Sequence, residues 1–302
     1  MTRPSVLAIV GPTGTGKSAL ALEAARRVDA EILSADSLQV YRGMDIGTAK
    51  PSARELRSVP HHGIDIVDPD DPMTAGRFAD YARTAARGIL ERGRRVLLCG
   101  GTGLYARAFA GGLIEGTASD SELRKRLERL ETPELIERLR SLDPRGLARI
   151  DPRNRVRLVR ALEICELAGQ PASELQTAHA FRDRPFEMTW LGLALPREDL
   201  WRRLRARVDQ MFERGLAAEV ERLYARGYGP ELPPLRALGY REVGQMLRGE
   251  LTEPQARERT FLATRRFAKR QQTWFGGEAG LRWLDASDPG ACLDAVLAEL
   301  GG

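Results

Sequence analysis

Gly11-Pro12-Thr13-Gly14-Thr15-Gly16-Lys17-Ser18 fits G-x-x-x-x-G-K-[ST], the spacing of a phosphate-binding loop. Glycines so placed let successive backbone N–H groups face phosphate oxygens, and a helix starting where the loop ends adds a favourable field. Lys17 can reach the distal phosphate, and Ser18 can hold Mg²⁺. Every residue from Gly11 to Ser18 is therefore a candidate phosphate ligand. Such a loop could serve nucleotide hydrolysis, transfer of a phosphate, or the holding of some other diphosphate.

Hydrolysis calls for an acid closing an apolar strand, to bind the metal. The apolar run Val96–Cys99 closes instead with Gly100-Gly101-Thr102-Gly103. Asp65 and Asp68 lie in a poor strand pattern followed at once by proline, and read better as structural loop acids. Asp36 is better placed. It ends the apolar run that starts at Ala30, and the carboxyl ends of such strands face the ligand crevice of a parallel sheet. A turn residue or helix cap is the alternative, because Ser34-Ala35-Asp36-Ser37 could be a simple loop. A carboxylate beside bound diphosphate is repelled unless cations intervene. Its expected task is then to take a proton from a second substrate, or to bind metal.

Two stretches are basic. Arg153, Arg157 and Arg160 recur at helical spacings of four and three, with Val156 and Val159 off that stripe. Residues 264–275 interleave Arg265, Arg266, Lys269 and Arg270 with Phe267 and Trp274. Basic groups suit phosphates, while aromatic and Gln groups suit the bases of single-stranded RNA. Taken singly, each stretch reads better as a solvated helix face with aromatic anchors in the core. Together they favour RNA.

These residues need a frame. Residues 6–10 read as a buried strand running straight into the loop, and residues 19–28 as the helix after it. Residues 30–36 and 95–103 read as further strands ending in turns, and 63–69 as a weaker one. A helix over 78–93 ends at glycine, and another follows Gly103. Alternating strands and helices predict an α/β fold, a P-loop-type doubly wound parallel sheet. Strand signal then disappears, so 117–187 is expected to be a helical insertion domain between core segments 1–116 and 188–302. A strand over 188–196 and long helices complete the core, the last starting near Thr252 and Pro254.

The chain has 302 residues, 42% hydrophobic and 29% charged, as a globular protein should. Its net charge of +5 suits a polyanionic partner, although an Arg-rich coding bias explains it equally well. Three cysteines, far apart and without C-x-x-C, imply neither a disulfide framework nor a zinc site. The first apolar run is too short for a signal peptide, and no stretch reaches membrane-spanning length. A cytoplasmic protein with no membrane association and no evident obligate protein partner is expected.

Residues 33–51, "LSADSLQVYRGMDIGTAKP", resemble the signature of the tRNA dimethylallyltransferases, or tRNA isopentenyltransferases. "GPTGTGKS", "GGTGLY", "NRVRLVRALE", "LRALGYRE" and "AKRQQTWF" resemble further family motifs in family order, across nearly the whole chain. The resemblance implies transfer of a dimethylallyl group from dimethylallyl diphosphate to N6 of adenosine 37 beside the tRNA anticodon, with Mg²⁺. It implies that Asp36 is the base, that Thr102 lies near the reacting centre, and that Arg207 binds diphosphate, with Arg203 and Arg205 as competing registers. It implies tRNA contacts for Asp36, Ser37, Leu38 and Gln39, for Arg124, Arg157 and Arg160, for Arg236, Gly239, Tyr240 and Arg241, and for Lys269, Arg270, Gln271 and Trp274. The helical insertion is implied to pack on the anticodon stem. Absence of the zinc finger of eukaryotic relatives implies the bacterial type. The target base is expected to flip out, with Gln39 a hydrogen-bonding partner for it. A small-molecule kinase would keep the fold, loop and Asp36 but has no use for the basic stretches. A non-catalytic RNA binder has no use for intact Lys17, Ser18 and Asp36.

Overall fold

The computed structural model describes residues 3–113, 120–179 and 183–301. The predicted boundary at Gly116 and Thr117 lies outside them. The chain divides into two compact units, Met1–Ala110 with Pro185–Gly302, and Gly111–Arg184. The expected end of the insertion at residue 187 cuts into a strand. Pro185 and Phe186 belong with the sheet, where Phe186 is buried and stacks on Phe109 with ring centroids 5.0 Å apart.

The first unit is a six-stranded, wholly parallel sheet: β1 (Ser5–Val10), β2 (Ala30–Ser34), β3 (His61–His62), β4 (Arg95–Gly100), β5 (Glu187–Ala194) and β6 (Leu281–Asp285), in spatial order β3-β2-β4-β1-β5-β6. Its helices are α1 (Lys17–Arg27), α2 (Ala53–Ser58), α3 (Ala75–Glu91) and α4 (Gly103–Gly111) before the second unit. After it come α10 (Arg197–Glu213), α11 (Leu216–Ala225), α12 (Tyr240–Leu247), α13 (Glu253–Gly276) and α14 (Pro289–Gly301).

Both faces of the sheet are covered, so its central strands carry unbroken apolar runs rather than alternation. Along β1, Val6, Ala8 and Val10 enter one core with Leu33, Leu98 and the inner faces of α3 and α10 to α13. Leu7 and Ile9 enter the other, with Ile32, Leu97 and residues of α1 and α14. Each fully buried Val, Leu or Ile contributes about 1.5–3 kcal/mol, and this central pile fixes the strand ends where chemistry would occur.

The predicted strand over 63–69 is not one. Paired backbone occurs two residues earlier, at β3, and beyond it the chain turns through Asp65 at φ 53° and makes a single bridge, Tyr41 to Val67. Left-handed backbone and the prolines that follow break the extension.

The elements of the second unit among its described residues are all helices: α5 (Ser121–Arg129), α6 (Thr132–Leu142), α7 (Pro144–Leu147), α8 (Arg155–Ala168) and α9 (Ala172–His179). Leu123, Leu127, Leu135, Leu139, Leu158 and Leu162 form its core. Among the described residues no helix is long and apolar enough to cross a membrane.

Candidate active site

Three neighbouring strands, β2, β4 and β1, end side by side, and each delivers one part of the site. β1 leads into the glycine loop, β2 into Asp36, and β4 into Gly101-Thr102. Among the described residues, the N–H groups of Gly14, Thr15 and Gly16 donate to no protein acceptor. They form a cradle of orphan donors ahead of the first turn of α1. The Pro12 carbonyl accepts from Thr15 Oγ1 at 2.9 Å and from Lys17 Nζ at 2.6 Å, folding the ammonium over the loop.

Burial pulls the Lys17 pKa down to about 8, with Arg207 adding to the fall and Asp36 opposing it. Burial likewise lowers Arg207, again opposed by Asp36. Cys99, beside Lys17 and Ser18, is pushed up to about 11 by burial, so its neutral thiol supplies no counter-charge. The three arginines of α10 have different surroundings. Arg203 is exposed, and Arg205 pairs with Glu258 at 2.6 Å and stacks on Phe261. Arg207 is the one that shares the site with Lys17 and Asp36.

Asp36 is a turn residue and something more. Its Oδ1 accepts the N–H groups of Leu38 at 2.9 Å and Gln39 at 3.3 Å. Among the described residues Oδ2 has no hydrogen-bond partner. Thr102 Oγ1 accepts from the Ser37 N–H at 3.0 Å and bonds Ser37 Oγ at 3.2 Å, while the Thr102 N–H donates to Ala35 at 3.1 Å. The turns after β2 and β4 are thus latched together, with one Asp36 oxygen committed and the other available. Asp65 and Asp68 are in ion pairs, with Lys50 and Arg42 respectively.

Several residues expected at a tRNA surface have other occupations. Gln39 is 9% exposed, its Oε1 accepting from Ser34 Oγ and its Nε2 donating to the carbonyls of Thr48 and Ala49. Both ends of the amide expected to meet the base are already bonded. Tyr240 is fully buried, and its hydroxyl donates to Glu219 at 2.7 Å. Gln271 is buried, bonded to Thr13 and Gly101. Trp274 is half-buried under Arg107, and its indole N–H lacks a partner among the described residues. Ser37 and Leu38 are partly buried in the Asp36 turn, and Gly239 is buried. Arg236, Lys269 and Arg270 are exposed, as is Arg241, which pairs with the buried Glu242.

In the helical unit Arg153 precedes α8 rather than lying on it, and pairs with Asp151. Val156 is 79% exposed and Val159 is buried, so the two do not share an environment. Arg157 is exposed. Arg124 and Arg160 both reach the buried Glu163, at 2.6 and 2.7 Å.

One organising residue escaped the sequence pattern. Glu219 of α11, 2% exposed, accepts the N–H groups of Asp45, Ile46 and Gly47 as well as the Tyr240 hydroxyl. A Cβ on Gly47 would stand 2.5 Å from the Tyr240 ring. Residues 45–48 and the "LGYRE" segment are therefore parts of one joint. An acid on the same helical stripe as Leu216, Val220 and Leu223 was the available signal.

Residues 39–278 match the family model described as IPP transferase, and residues 4–66 one described as isopentenyl transferase. The chain belongs to the tRNA dimethylallyltransferase family. A relative named tRNA dimethylallyltransferase 1, from Citrifermentans bemidjiense, is 46% identical over 93% of this chain and 92% of its own. Another, tRNA dimethylallyltransferase of Geobacter metallireducens, is 45% identical over 97% and 96%. Among solved structures, the tRNA isopentenylpyrophosphate transferase of Bacillus halodurans superposes with a TM-score of 0.73 at 37% identity, covering 99% of this chain and 97% of that one. A eukaryotic dimethylallyltransferase acting on tRNA gives 0.83 at 28% identity, covering 94% of this chain but 74% of that one. The bacterial members of this transferase family are thus matched nearly end to end, and the fold is of the P-loop type.

Proposed function

We propose that this protein transfers a dimethylallyl group from dimethylallyl diphosphate to N6 of adenosine 37, beside the tRNA anticodon, releasing diphosphate. The observation that carries this proposal is the set of groups at the three strand ends. Orphan N–H groups at Gly14, Thr15 and Gly16, with Lys17 and Arg207, suit a polyanionic leaving group, and Asp36 offers one uncommitted carboxylate oxygen beside them.

In the step envisaged, the C1–O bond of the allylic diphosphate breaks as positive charge spreads over the allyl unit. The loop N–H groups, Lys17 and Arg207 stabilise the charge growing on the departing oxygens. The adenine N6 bonds to C1, becomes acidic as it does so, and gives a proton to Asp36 Oδ2. Ser37 and Thr102 hold the Asp36 turn during transfer. The base reaches this crevice by leaving the anticodon-loop stack. The exposed Arg236, Lys269 and Arg270 suit RNA phosphates, as does Arg157 in the helical unit. Gln39, with its amide bonded internally, shapes the turn instead of reading the base.

Among the described residues no cluster of three or more His, Cys, Asp or Glu could hold a metal. Mg²⁺ commonly binds through substrate phosphates, water and one or two protein oxygens, and the exposed Ser18 at the first turn of α1 fits that use. Bound there, Mg²⁺ would neutralise part of the diphosphate charge.

The test is to incubate the protein with unmodified tRNA and labelled dimethylallyl diphosphate, with ATP in parallel. Label in tRNA at adenosine 37 is expected. Consumption of ATP without prenyl transfer would sink the proposal in favour of a kinase.

A further inference from the structure

We propose that Gln271 is a positioning residue through which helix α13 sets the geometry of the diphosphate cradle. Its side chain is 6% exposed and points away from the solvated Lys269 and Arg270 beside it. Oε1 accepts the Thr13 N–H at 2.8 Å, and Nε2 donates to the Gly101 carbonyl at 2.9 Å. Those two backbone groups belong to the loops that follow β1 and β4, adjacent strands in register through Val10 and Gly100. One amide therefore cross-links the phosphate loop to the turn that carries Thr102.

The chemistry fits an amide alone. One partner is a donor and the other an acceptor, so the side chain must present one of each, in a single orientation. A carboxylate could still accept from Thr13 but would set an oxygen against the Gly101 carbonyl. Space is equally restrictive: a Cβ on Gly101 would stand 2.1 Å from Nε2. Each polar end is bonded within the protein and the side chain is buried, an arrangement that suits a structural link.

The consequence is mechanical. Thr13 immediately precedes the orphan N–H groups of Gly14 to Gly16, and Thr102 immediately follows Gly101. A shift of α13 changes the separation of these two loops. Because Lys269 and Arg270 flank Gln271 on the same helix, a polyanion pulling on them acts on the cradle through this amide. The inference rests on the proposed function for the identity of the two substrates, but its core claim concerns diphosphate geometry and is testable without transfer.

The experiment uses the full chain with Gln271→Met, which keeps a side chain of similar length, removes both hydrogen bonds and adds no charge. Binding of inorganic diphosphate with Mg²⁺, measured by calorimetry without tRNA, is expected to weaken about tenfold or more, as for loss of buried hydrogen bonds. KM for dimethylallyl diphosphate should rise in parallel, while the tRNA dissociation constant stays unchanged. Unchanged diphosphate affinity with weakened tRNA binding would overturn the inference and make Gln271 a tRNA contact. If the variant does not fold, amide exchange in the unmodified protein decides: Thr13 should be protected, and exchange at the free-peptide rate would overturn the cross-link. Failure of the unmodified protein to prenylate tRNA would instead refute the proposed function, leaving the diphosphate measurement to judge Gln271.

Discussion

Lys17 and Arg207 are two cations drawn out of water beside a single carboxylate, Asp36, whereas Arg124 and Arg160 of the helical unit converge on the fully buried Glu163. Glu163 also accepts the Asp120 N–H at 3.2 Å, so its oxygens are well supplied. Among the described residues the second cluster pairs opposite charges with each other and has the form of a structural joint. The first carries surplus positive charge and unbonded N–H groups at a strand end, a disposition that costs stability unless a ligand completes it. The difference separates two kinds of arginine that a sequence motif treats alike: those whose charge is spent within the fold, and those whose charge remains for an anion.

The largest effect should come from Asp36. Asp36→Asn retains an oxygen to cap the turn that Leu38 and Gln39 close, but cannot take a proton. Turnover should fall by roughly 10² or more, with tRNA affinity little changed. Asp36→Ala should lose at least as much and also loosen the turn. Near-normal kcat in the Asn variant would reduce Asp36 to a cap and collapse the distinction drawn above.

Lys17 comes next. Removing it by Lys17→Met should cost about 10²–10³ in kcat, the range for one donor to a developing charge. Stability should move the other way. A lysine whose folded pKa lies near 8 and whose unfolded value is 10.5 penalises the fold fully below pH 8, and the penalty fades as pH rises toward 10.5. Lys17→Met should therefore raise the melting temperature at pH 7, relieving up to about 3 kcal/mol, and flatten the rise above pH 8. In transfer kinetics, kcat/KM for dimethylallyl diphosphate should fall as pH passes about 8, and Lys17→Arg, always charged, should abolish that inflection. A destabilised Lys17→Met with normal turnover would make this lysine structural.

The parts legible in the sequence were those set by local spacing. The glycine loop, the apolar runs of β1, β2 and β4, and the placement of Asp36 all follow from residues within a few positions of one another. What escaped depends on partners far along the chain. Gln271 and Tyr240 sit in motifs that name a function, yet only the packing of α12 and α13 shows that they face inward, onto Thr13, Gly101 and Glu219. The different surroundings of Arg203, Arg205 and Arg207, with Arg205 paired to Glu258, likewise depend on a helix far along the chain. β6 went unread because Leu281–Asp285 is a short edge strand, half-exposed along its length, with no apolar run to announce it. Spacing reports which face a residue shares with its neighbours, and says nothing of what covers that face.

A smaller effect is expected in the helical unit, where Glu163→Gln leaves Arg124 and Arg160 without their shared counter-charge. Breaking a fully buried pair costs about 3–5 kcal/mol, and both arginines here are more than a third exposed, so about 1–2 kcal/mol is expected. The loss should appear as a lower melting temperature and as faster amide exchange confined to α5 and α8. The rate of the chemical step on bound substrates should not change. A drop in single-turnover rate with an unchanged melting temperature would place Glu163 in the reaction, against the division between the two clusters.

The smallest and most discriminating effect concerns the exposed arginines themselves. Among the described residues Arg157 has no ion-pair partner, while Arg124 is held by Glu163. A free guanidinium that neutralises a phosphate releases a counterion on binding, so Arg157→Ala should lower the slope of log affinity for tRNA against log salt by about one. Arg124 brings little net charge to a phosphate because Glu163 already answers it, and Arg124→Ala should change the slope by clearly less. Equal slopes for the two variants would mean that Glu163 gives up its partner when tRNA arrives. The helical cluster would then be a store of charge for the ligand, like the crevice, rather than a joint.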